Sequence, residues 1–304
     1  MRFSDYLKTC RERFSLTQEA LVTELYLFDD EAFEGITPTT VSRWERGVTS
    51  PPPKRMAEIL AFFQKRSGEP LPCLGDKDPE EVETLICDTA IETLFRPKKM
   101  VADTPLTREE ADRFALINLR HHPRADELLE LNAMLHRHVN TPFTRVDAAS
   151  FKKWIEYPGN LFSAVTYRTS FLGLLFSLRL KPAPFDDILS FRHRKADLGR
   201  GDFAAPNEEG SVYMLSFFAL SQEIATLLFR RFYAHLIANQ SSTREVGYVT
   251  SFEEALELAR RMHLARTGIR EGGETPVVAY RSDLFGLMRS PMALKIIFPK
   301  EPCG

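Results

Sequence analysis

Hydroxyl and arginine side chains recur between residues 39 and 46, and their types are those that contact nucleic acid. Arginine pairs with phosphate oxygens or base edges, and short hydroxyl groups donate to phosphates. A helix that carries such a face has the chemistry to enter a DNA major groove and read its bases. The side chains concerned are Thr39, Thr40, Ser42, Arg43 and Arg46.

Local signals predict the helix that these side chains need. Thr37 suits its N-cap, Pro38 suits its first turn, and Gly47 suits the left-handed residue just past its end. Val41 and Trp44 lie three residues apart, so they share one face and are expected to pack. The alternative interpretation is an amphipathic helix whose charged face is only solvated.

The flanking sequence predicts further helices around this one. A helical pattern spans residues 3–13, Thr17 is placed to begin a second helix, and three prolines precede another apolar period that reaches Phe63. This order, with the motifs LTQEALV and TVSRWERG followed by a proline-marked turn, resembles the XRE/Cro family of helix-turn-helix DNA-binding domains. The resemblance covers roughly residues 1–66 and implies an all-α, lambda-repressor-like fold.

The resemblance also implies roles for individual residues. Gln18, at the start of the second helix, matches a position that contacts the DNA backbone or a base. Arg11 and Glu45 match a pair expected to form a salt bridge between the first and third helices, which is a structural role. The implied DNA-binding residues are Thr17, Gln18, Thr37, Thr39, Thr40, Ser42, Arg43 and Arg46.

Two features depart from the family pattern. Residues 26–35 form an insertion between the second and third helices, and its acidic side chains must point away from DNA or inhibit docking. Pro38 stands where relatives often carry a glutamine that reads adenine, and proline has no amide for that contact. The sequence therefore leaves the operator open.

Composition limits the class of protein. The 304 residues are 43% hydrophobic, which suits two globular domains, and the formal net charge is −2. Binding to double-stranded DNA must then depend on a local basic patch, and this favours a homodimer with two recognition helices.

No signal peptide and no long uncharged apolar run are found, so we expect a cytoplasmic protein without membrane contact. The cysteines, expected to be reduced and without metal-ligand spacing, are Cys10, Cys73, Cys87 and Cys303.

Changes in pattern divide the chain into three segments. Residues 1–66 are the expected helix-turn-helix domain, residues 67–105 a linker, and residues 106–304 a mixed α/β domain. The linker contains an amphipathic stretch from Pro79 to Phe95. Its apolar stripe either packs on its own chain or contributes to a dimer interface.

The last segment alternates helices and strands around one long apolar helix at residues 221–239. Helices are predicted between 124 and 155, and an antiparallel hairpin follows them. This order resembles the GNAT acetyltransferase fold over about residues 106–290, although only three strands precede the long helix where that family has four. The strands are predicted at 161–168, 171–180, 211–219, 244–250, 263–270 and 277–282.

The strand-to-helix junction tests the implied chemistry. GNAT enzymes hold the pyrophosphate of acetyl-CoA there in a loop of the pattern Arg/Gln-x-x-Gly-x-Gly/Ala. Here Leu220 replaces Arg or Gln and Glu223 replaces the first glycine, which puts a carboxylate where a pyrophosphate would lie. We therefore expect weak or no acetyl-CoA binding, no cofactor and no catalytic residue. The matching loop, still a candidate ligand loop, is Leu220, Ser221, Gln222, Glu223, Ile224 and Ala225.

Three functions stay open from the sequence. The first is a transcriptional regulator whose GNAT-like domain has lost catalysis and serves for ligand sensing, dimerisation or both. The second is an active N-acetyltransferase targeted by a DNA-binding domain, in which Tyr248 or Tyr280 would be a general acid rather than a core residue. The third is an antitoxin-like or phage-type repressor that binds a protein partner.

Overall fold

The computed structural model describes residues 1–75, 77–87, 114–139, 145–168, 170–252, 254–271 and 275–299. The helices, in chain order, are α1 (Phe3–Arg13), α2 (Gln18–Phe28), α3 (Pro38–Glu45), α4 (Pro53–Ser67), α5 (Pro79–Cys87), α6 (Ala125–Val139), α7 (Ala148–Trp154), α8 (Pro182–Leu189), α9 (Gln222–Ala238), α10 (Glu254–Arg261), α11 (Leu284–Met288) and α12 (Pro291–Ile297). The strands are β1 (Phe114–Asn118), β2 (Leu161–Tyr167), β3 (Ser170–Leu180), β4 (Gly210–Ala219), β5 (Thr243–Thr250), β6 (Ala265–Arg270) and β7 (Val277–Asp283).

The chain divides into two compact units. Of the described residues, those up to 87 form one unit together with residues 233–241 and 285–299, and the others form the second. We call them the helical unit and the sheet unit. The sequence-based boundaries after residues 66 and 105 stay a prediction. The amphipathic stretch from Pro79 is described only as far as Cys87, where α5 ends.

The core of the helical unit comes from the apolar faces of its first four helices. Leu7, Leu21, Val41 and Ile59, one from each helix, are fully buried. Each helix presents such residues at intervals of three or four, so removing this face from water drives the packing.

Residues distant in sequence complete the helical unit. The ring of Phe298, just after α12, lies 5.1 Å from Phe3 and 4.9 Å from Tyr6, measured between ring centroids. The Leu71 N–H donates to Oε1 of Gln240 over 2.6 Å. No local sequence signal indicates this packing, because the partners are separated by more than a hundred residues.

The sheet unit contains a seven-stranded sheet in the order β1-β2-β3-β4-β5-β7-β6. Neighbouring strands are antiparallel except β4 and β5, which are parallel and are joined through α9. A parallel pair requires such a crossover, since a tight turn cannot return the chain to the same end. The predicted class, an all-α part followed by a mixed α/β part, is confirmed.

The structure corrects the count of strands before the long helix from three to four. The additional strand is β1, which pairs antiparallel with β2 so that Phe114 lies opposite Tyr167. β1 is five residues long, lies at the sheet edge and does not alternate regularly between buried and exposed positions. These properties hide it from a periodicity analysis, and its presence completes the GNAT-like order of elements.

Helices pack on both faces of the sheet, because Phe176 of β3 lies opposite Ser216 and Phe217 of β4 therefore points to the other face. Phe151 of α7 packs on Phe176 of β3, and Phe162 of β2 lies 4.6 Å from the same ring. α9 packs through Phe229, whose ring lies 4.9 Å from that of Phe217 in β4. Throughout the described part of the chain, no helix combines the length and apolar character needed to cross a membrane.

Candidate functional site

The start and the end of α3 are defined by hydrogen bonds and backbone conformation. Thr37 Oγ1 accepts from the Thr40 N–H over 3.2 Å, and Thr40 Oγ1 accepts from the Thr37 N–H over 3.4 Å. Gly47, just past the end, has a φ of +69°, a conformation that favours glycine. Thr37 and Thr40 therefore fix the first turn of α3 with their hydroxyl groups.

The two faces of α3 differ as the residue pattern predicts. Val41 is fully buried and Trp44 is 5% exposed, so this face holds the helix to its unit. Thr39, Arg43 and Arg46 are on the outward side, where all three are exposed. The outward face therefore carries a hydroxyl group and two guanidinium groups.

Glu45 is the carboxylate of α3, and it is paired inside the unit. Arg11 donates to it through Nε and a terminal nitrogen, over 2.6 and 3.2 Å, and the Glu45 side chain is only 5% exposed. Gln18 adds a third bond from Nε2 over 2.7 Å. Bonding to Glu45 raises the pKa of Arg11, which stays charged. The pairing withdraws the negative charge of Glu45 from the surface that holds Arg43.

Gln18 and Thr17, which are also predicted to contact DNA, make hydrogen bonds within the helical unit. Gln18 directs its amide nitrogen to Glu45, and Thr17 caps α2 by accepting from the Ala20 N–H over 3.1 Å. Ser42 is half-buried, and its carbonyl accepts from Arg46 Nε over 3.2 Å. The groups that remain most open to a ligand are on the face that carries Arg43.

The insertion between α2 and α3 is a folded turn. Phe33 is fully buried, and Arg55 Nε donates to the Ala32 carbonyl over 3.0 Å. The exposed acidic side chains of this turn are Asp30, Glu31 and Glu34. Because the turn is fixed at Phe33, its carboxylates are held on the surface of the helical unit.

In the sheet unit, residues of the chain itself pack against the junction of β4 and α9 and cap the start of the helix. The buried Ser221 Oγ accepts from the Ile224 N–H over 3.3 Å, which satisfies one of the free donors at the helix start. Glu223 places a carboxylate in the first turn. The backbone is also close to β3, since a Cβ at Gly173 would lie 2.7 Å from Cγ2 of Ile224. One backbone donor at the start of α9 is thus already paired, and a carboxylate lies beside the others.

The two tyrosines considered as acids are core residues in this structure. Tyr248 is 5% exposed and donates its hydroxyl to the Ala255 carbonyl over 2.5 Å. Burial raises its pKa well above the usual value. Tyr280 packs beside it, with 5.6 Å between ring centroids. Their position supports packing rather than proton transfer.

Buried cations in the sheet unit were not found by sequence reasoning. Arg179 is 1% exposed, and its guanidinium donates to the Thr243 hydroxyl and to the Glu208 and Ser242 carbonyls over 2.7 to 2.8 Å. Lys195 is 4% exposed and lies over the Tyr213 ring, and burial lowers its pKa to about 7. Among the described residues, no group of three His, Cys, Asp or Glu could hold a metal ion.

A family model described as helix-turn-helix matches residues 35–69. The match spans α3 and α4, and it confirms the predicted helix-turn-helix. No curated protein matches the sequence.

Several solved structures resemble part of the chain at low identity. The N-acyl amino acid synthase FeeM from uncultured soil microbes is 12% identical with a TM-score of 0.41, covering 60% of this chain and 97% of that one. The GNAT domain of S. lividans PAT is 14% identical with a TM-score of 0.35, covering 56% and 89%. The CoA-dependent acyl-homoserine lactone synthase MesI is 13% identical with a TM-score of 0.35, covering 61% and 93%.

Proposed function

We propose that this chain is a DNA-binding transcriptional regulator that places α3 in the major groove. The observation that carries the proposal is the outward face of α3, which presents Thr39, Arg43 and Arg46 while the acidic Glu45 is paired with Arg11. A short helix with a buried apolar face and an outward cationic face has the shape and charge for groove binding. The protein would act in the cytoplasm.

A homodimer is part of the proposal. The formal net charge is −2, so the chain has no general attraction to DNA. Two copies of the α3 face would double the phosphate contacts and would favour an inverted repeat. The operator would then consist of two half-sites about one helical turn apart, or multiples of it.

The sheet unit, in this proposal, is a non-catalytic GNAT-like module for ligand sensing, dimerisation or both. The support is the β4–α9 junction, where Ser221 already caps the helix and Glu223 would repel a pyrophosphate. A ligand or partner that prefers one arrangement of the dimer would change operator affinity through that preference.

The DNA part is tested by selecting bound genomic fragments with the full chain and then measuring affinity for the enriched site. Arg43→Ala should weaken binding about 5- to 150-fold, because a base or phosphate contact is lost. The matched control is Arg260→Ala, which removes an arginine that is 79% exposed on α10. Equal affinity of Arg43→Ala and the native chain would contradict the assignment of α3.

The salt dependence separates two roles for Arg43. If it binds phosphate, Arg43→Ala should lower the slope of log affinity against log salt by about one for each copy in the complex. If Arg43 reads a base, the loss of affinity should occur only for DNA sites that contain the base pair that Arg43 prefers. No enrichment of any motif by the native chain would contradict the regulator itself.

The sheet unit is tested by calorimetric titration with acetyl-CoA. No heat at millimolar cofactor is the expected result, and saturable binding would favour the N-acetyltransferase alternative. If a second protein instead co-purified with the native chain in a fixed stoichiometry, the result would favour the repressor that binds a protein partner.

A further inference from the structure

Cys10 and Cys73 are brought together in the helical unit although 63 positions separate them. Their Sγ atoms lie 3.3 Å apart, and both thiols are free. Cys10 is fully buried on α1, whereas Cys73 is half-buried in the turn that follows α4. A disulfide requires the two sulfur atoms at about 2.05 Å, so a closure of roughly 1 Å would join them.

The charges around the pair distinguish the two sulfur atoms. The hydrogen bond between the Cys10 and Cys73 thiols, together with the nearby Arg13 guanidinium, lowers the pKa of Cys73 to about 7. Glu69, which accepts two hydrogen bonds from Arg13 over 2.8 and 3.0 Å, opposes this effect. The pKa of Cys10 is raised by the same bond and by burial. Of the two thiols, Cys73 is therefore the one that ionises at the lower pH.

The two sulfur atoms also differ in access. Cys73 lines an open cavity of about 580 Å³ between α1 and α5, with Tyr6, Thr9 and Leu85 among the other lining residues, whereas Cys10 does not line it. Burial raises the pKa of Tyr6 well above its usual value, so the phenol facing the pair is neutral. Cys73 has a φ of +72°, a conformation rare for a residue other than glycine. This thiol therefore lies in a turn and lines the cavity.

We propose that Cys73 and Cys10 form a peroxide-reactive thiol pair, in which Cys73 is oxidised first and Cys10 closes an intramolecular disulfide. This would be a two-electron redox site within the helical unit. It does not depend on the proposed DNA binding.

The chemistry needs hydrogen peroxide and no other oxidant. The Cys73 thiolate attacks one peroxide oxygen, the O–O bond breaks, and the hydroxide that leaves takes up a proton to become water. Cys73 is then a sulfenic acid. The Cys10 sulfur attacks the Cys73 sulfur, the S–S bond forms and the S–O bond breaks, and the hydroxyl leaves as water with the Cys10 proton. Two thiols are oxidised by two electrons in total, and one peroxide is reduced to two waters.

The test treats the full-length chain with equimolar hydrogen peroxide at pH 7 and maps peptides without reduction. The expected product is a peptide pair joined through Cys10 and Cys73, two hydrogens lighter than the reduced peptides. Cys10→Ser should instead accumulate a sulfenic acid at Cys73 that dimedone traps. The control Cys87→Ser/Cys303→Ser should form the same disulfide as the native chain.

A second measurement on the native chain does not rely on a variant that has to fold. Limited alkylation with iodoacetamide at pH 7 should modify Cys73 before Cys10 and about threefold faster than cysteines of the denatured chain, because the larger thiolate fraction outweighs the lower nucleophilicity of a more acidic thiol. Faster alkylation of Cys10, a disulfide to Cys87, Cys303 or a second chain, or peroxide reactivity no greater than that of the denatured chain would each overturn the proposal.

Discussion

Arg11 of α1 and Glu45 of α3 are joined by two hydrogen bonds, and the side chain of Glu45 is only 5% exposed. The pair ties the first helix to the helix proposed to enter DNA. It also removes the charge of Glu45 from the surface that carries Arg43, which would otherwise be partly neutralised. This salt bridge thus holds α3 against α1 and also leaves the outward face of α3 positively charged.

Breaking this pair should destabilise the helical unit strongly. Arg11→Ala leaves the buried Glu45 carboxylate without its cation, and we expect a loss of about 3 kcal/mol in the free energy of unfolding. The measurement is urea denaturation followed by far-UV circular dichroism. Arg13→Ala is the matched control. Arg13 forms a salt bridge with Glu69 in which the side chains are 39% and 34% exposed, so the bridge should contribute less than about 1 kcal/mol. Equal losses in the two variants would contradict the structural role given to Arg11.

Trp44 should act through stability rather than through DNA contact. Trp44→Ala empties a site that is 5% exposed, so the helical unit should lose roughly 3 to 5 kcal/mol. Val48→Ala, at a side chain 59% exposed, should change stability by less than about 0.5 kcal/mol. Thermal denaturation of both variants decides the point. A native melting temperature for Trp44→Ala would show that the buried face of α3 is assigned wrongly.

Gly173 is needed where β3 approaches the start of α9. A Cβ there would lie 2.7 Å from Cγ2 of Ile224 and 2.8 Å from the Phe218 carbonyl oxygen. Because the backbone oxygen cannot move aside cheaply, Gly173→Ala should cost about 1 to 3 kcal/mol in the sheet unit. Gly201→Ala is the control, since no atom lies within 4 Å of its added Cβ. If the two substitutions have the same effect in urea denaturation, the close approach of α9 to β3 is absent in solution.

Lys195 should make the stability of the sheet unit depend on pH. Its pKa is lowered by burial to about 7 in the folded chain, from the ordinary value of 10.5. Between these pH values the unfolded chain binds more protons, so stability should rise with pH across that window, by up to about 1.4 kcal/mol per pH unit.

Lys195→Met removes the titrating group and keeps most of its volume. The variant should be more stable than the native chain near pH 7, and this difference in unfolding free energy should shrink as pH rises toward 10.5. The control is Lys152→Met, which removes a lysine 40% exposed in surface bridges. A difference independent of pH would mean that Lys195 stays charged in the folded chain.

Sequence signals within a few residues of one another identified most of the candidate site. Thr37, Gly47 and the spacing of Val41 and Trp44 predicted the limits and faces of α3, because capping and helical period are local properties. β1 escaped this reasoning, since a short edge strand is identified by its pairing with β2 and not by its own pattern. The DNA contacts of the outward residues stay predictions.

Local signals were enough to predict the capped helix that carries Arg43, the β2–β3 hairpin and the strand-to-helix junction that contains Glu223. Contacts between groups far apart in the chain became visible in the folded structure alone. The fold placed Cys10 beside Cys73 and Phe298 against Tyr6. The physical reason is that capping, turn and strand preferences act between near neighbours, whereas burial brings together any apolar or paired groups that the folded chain can reach.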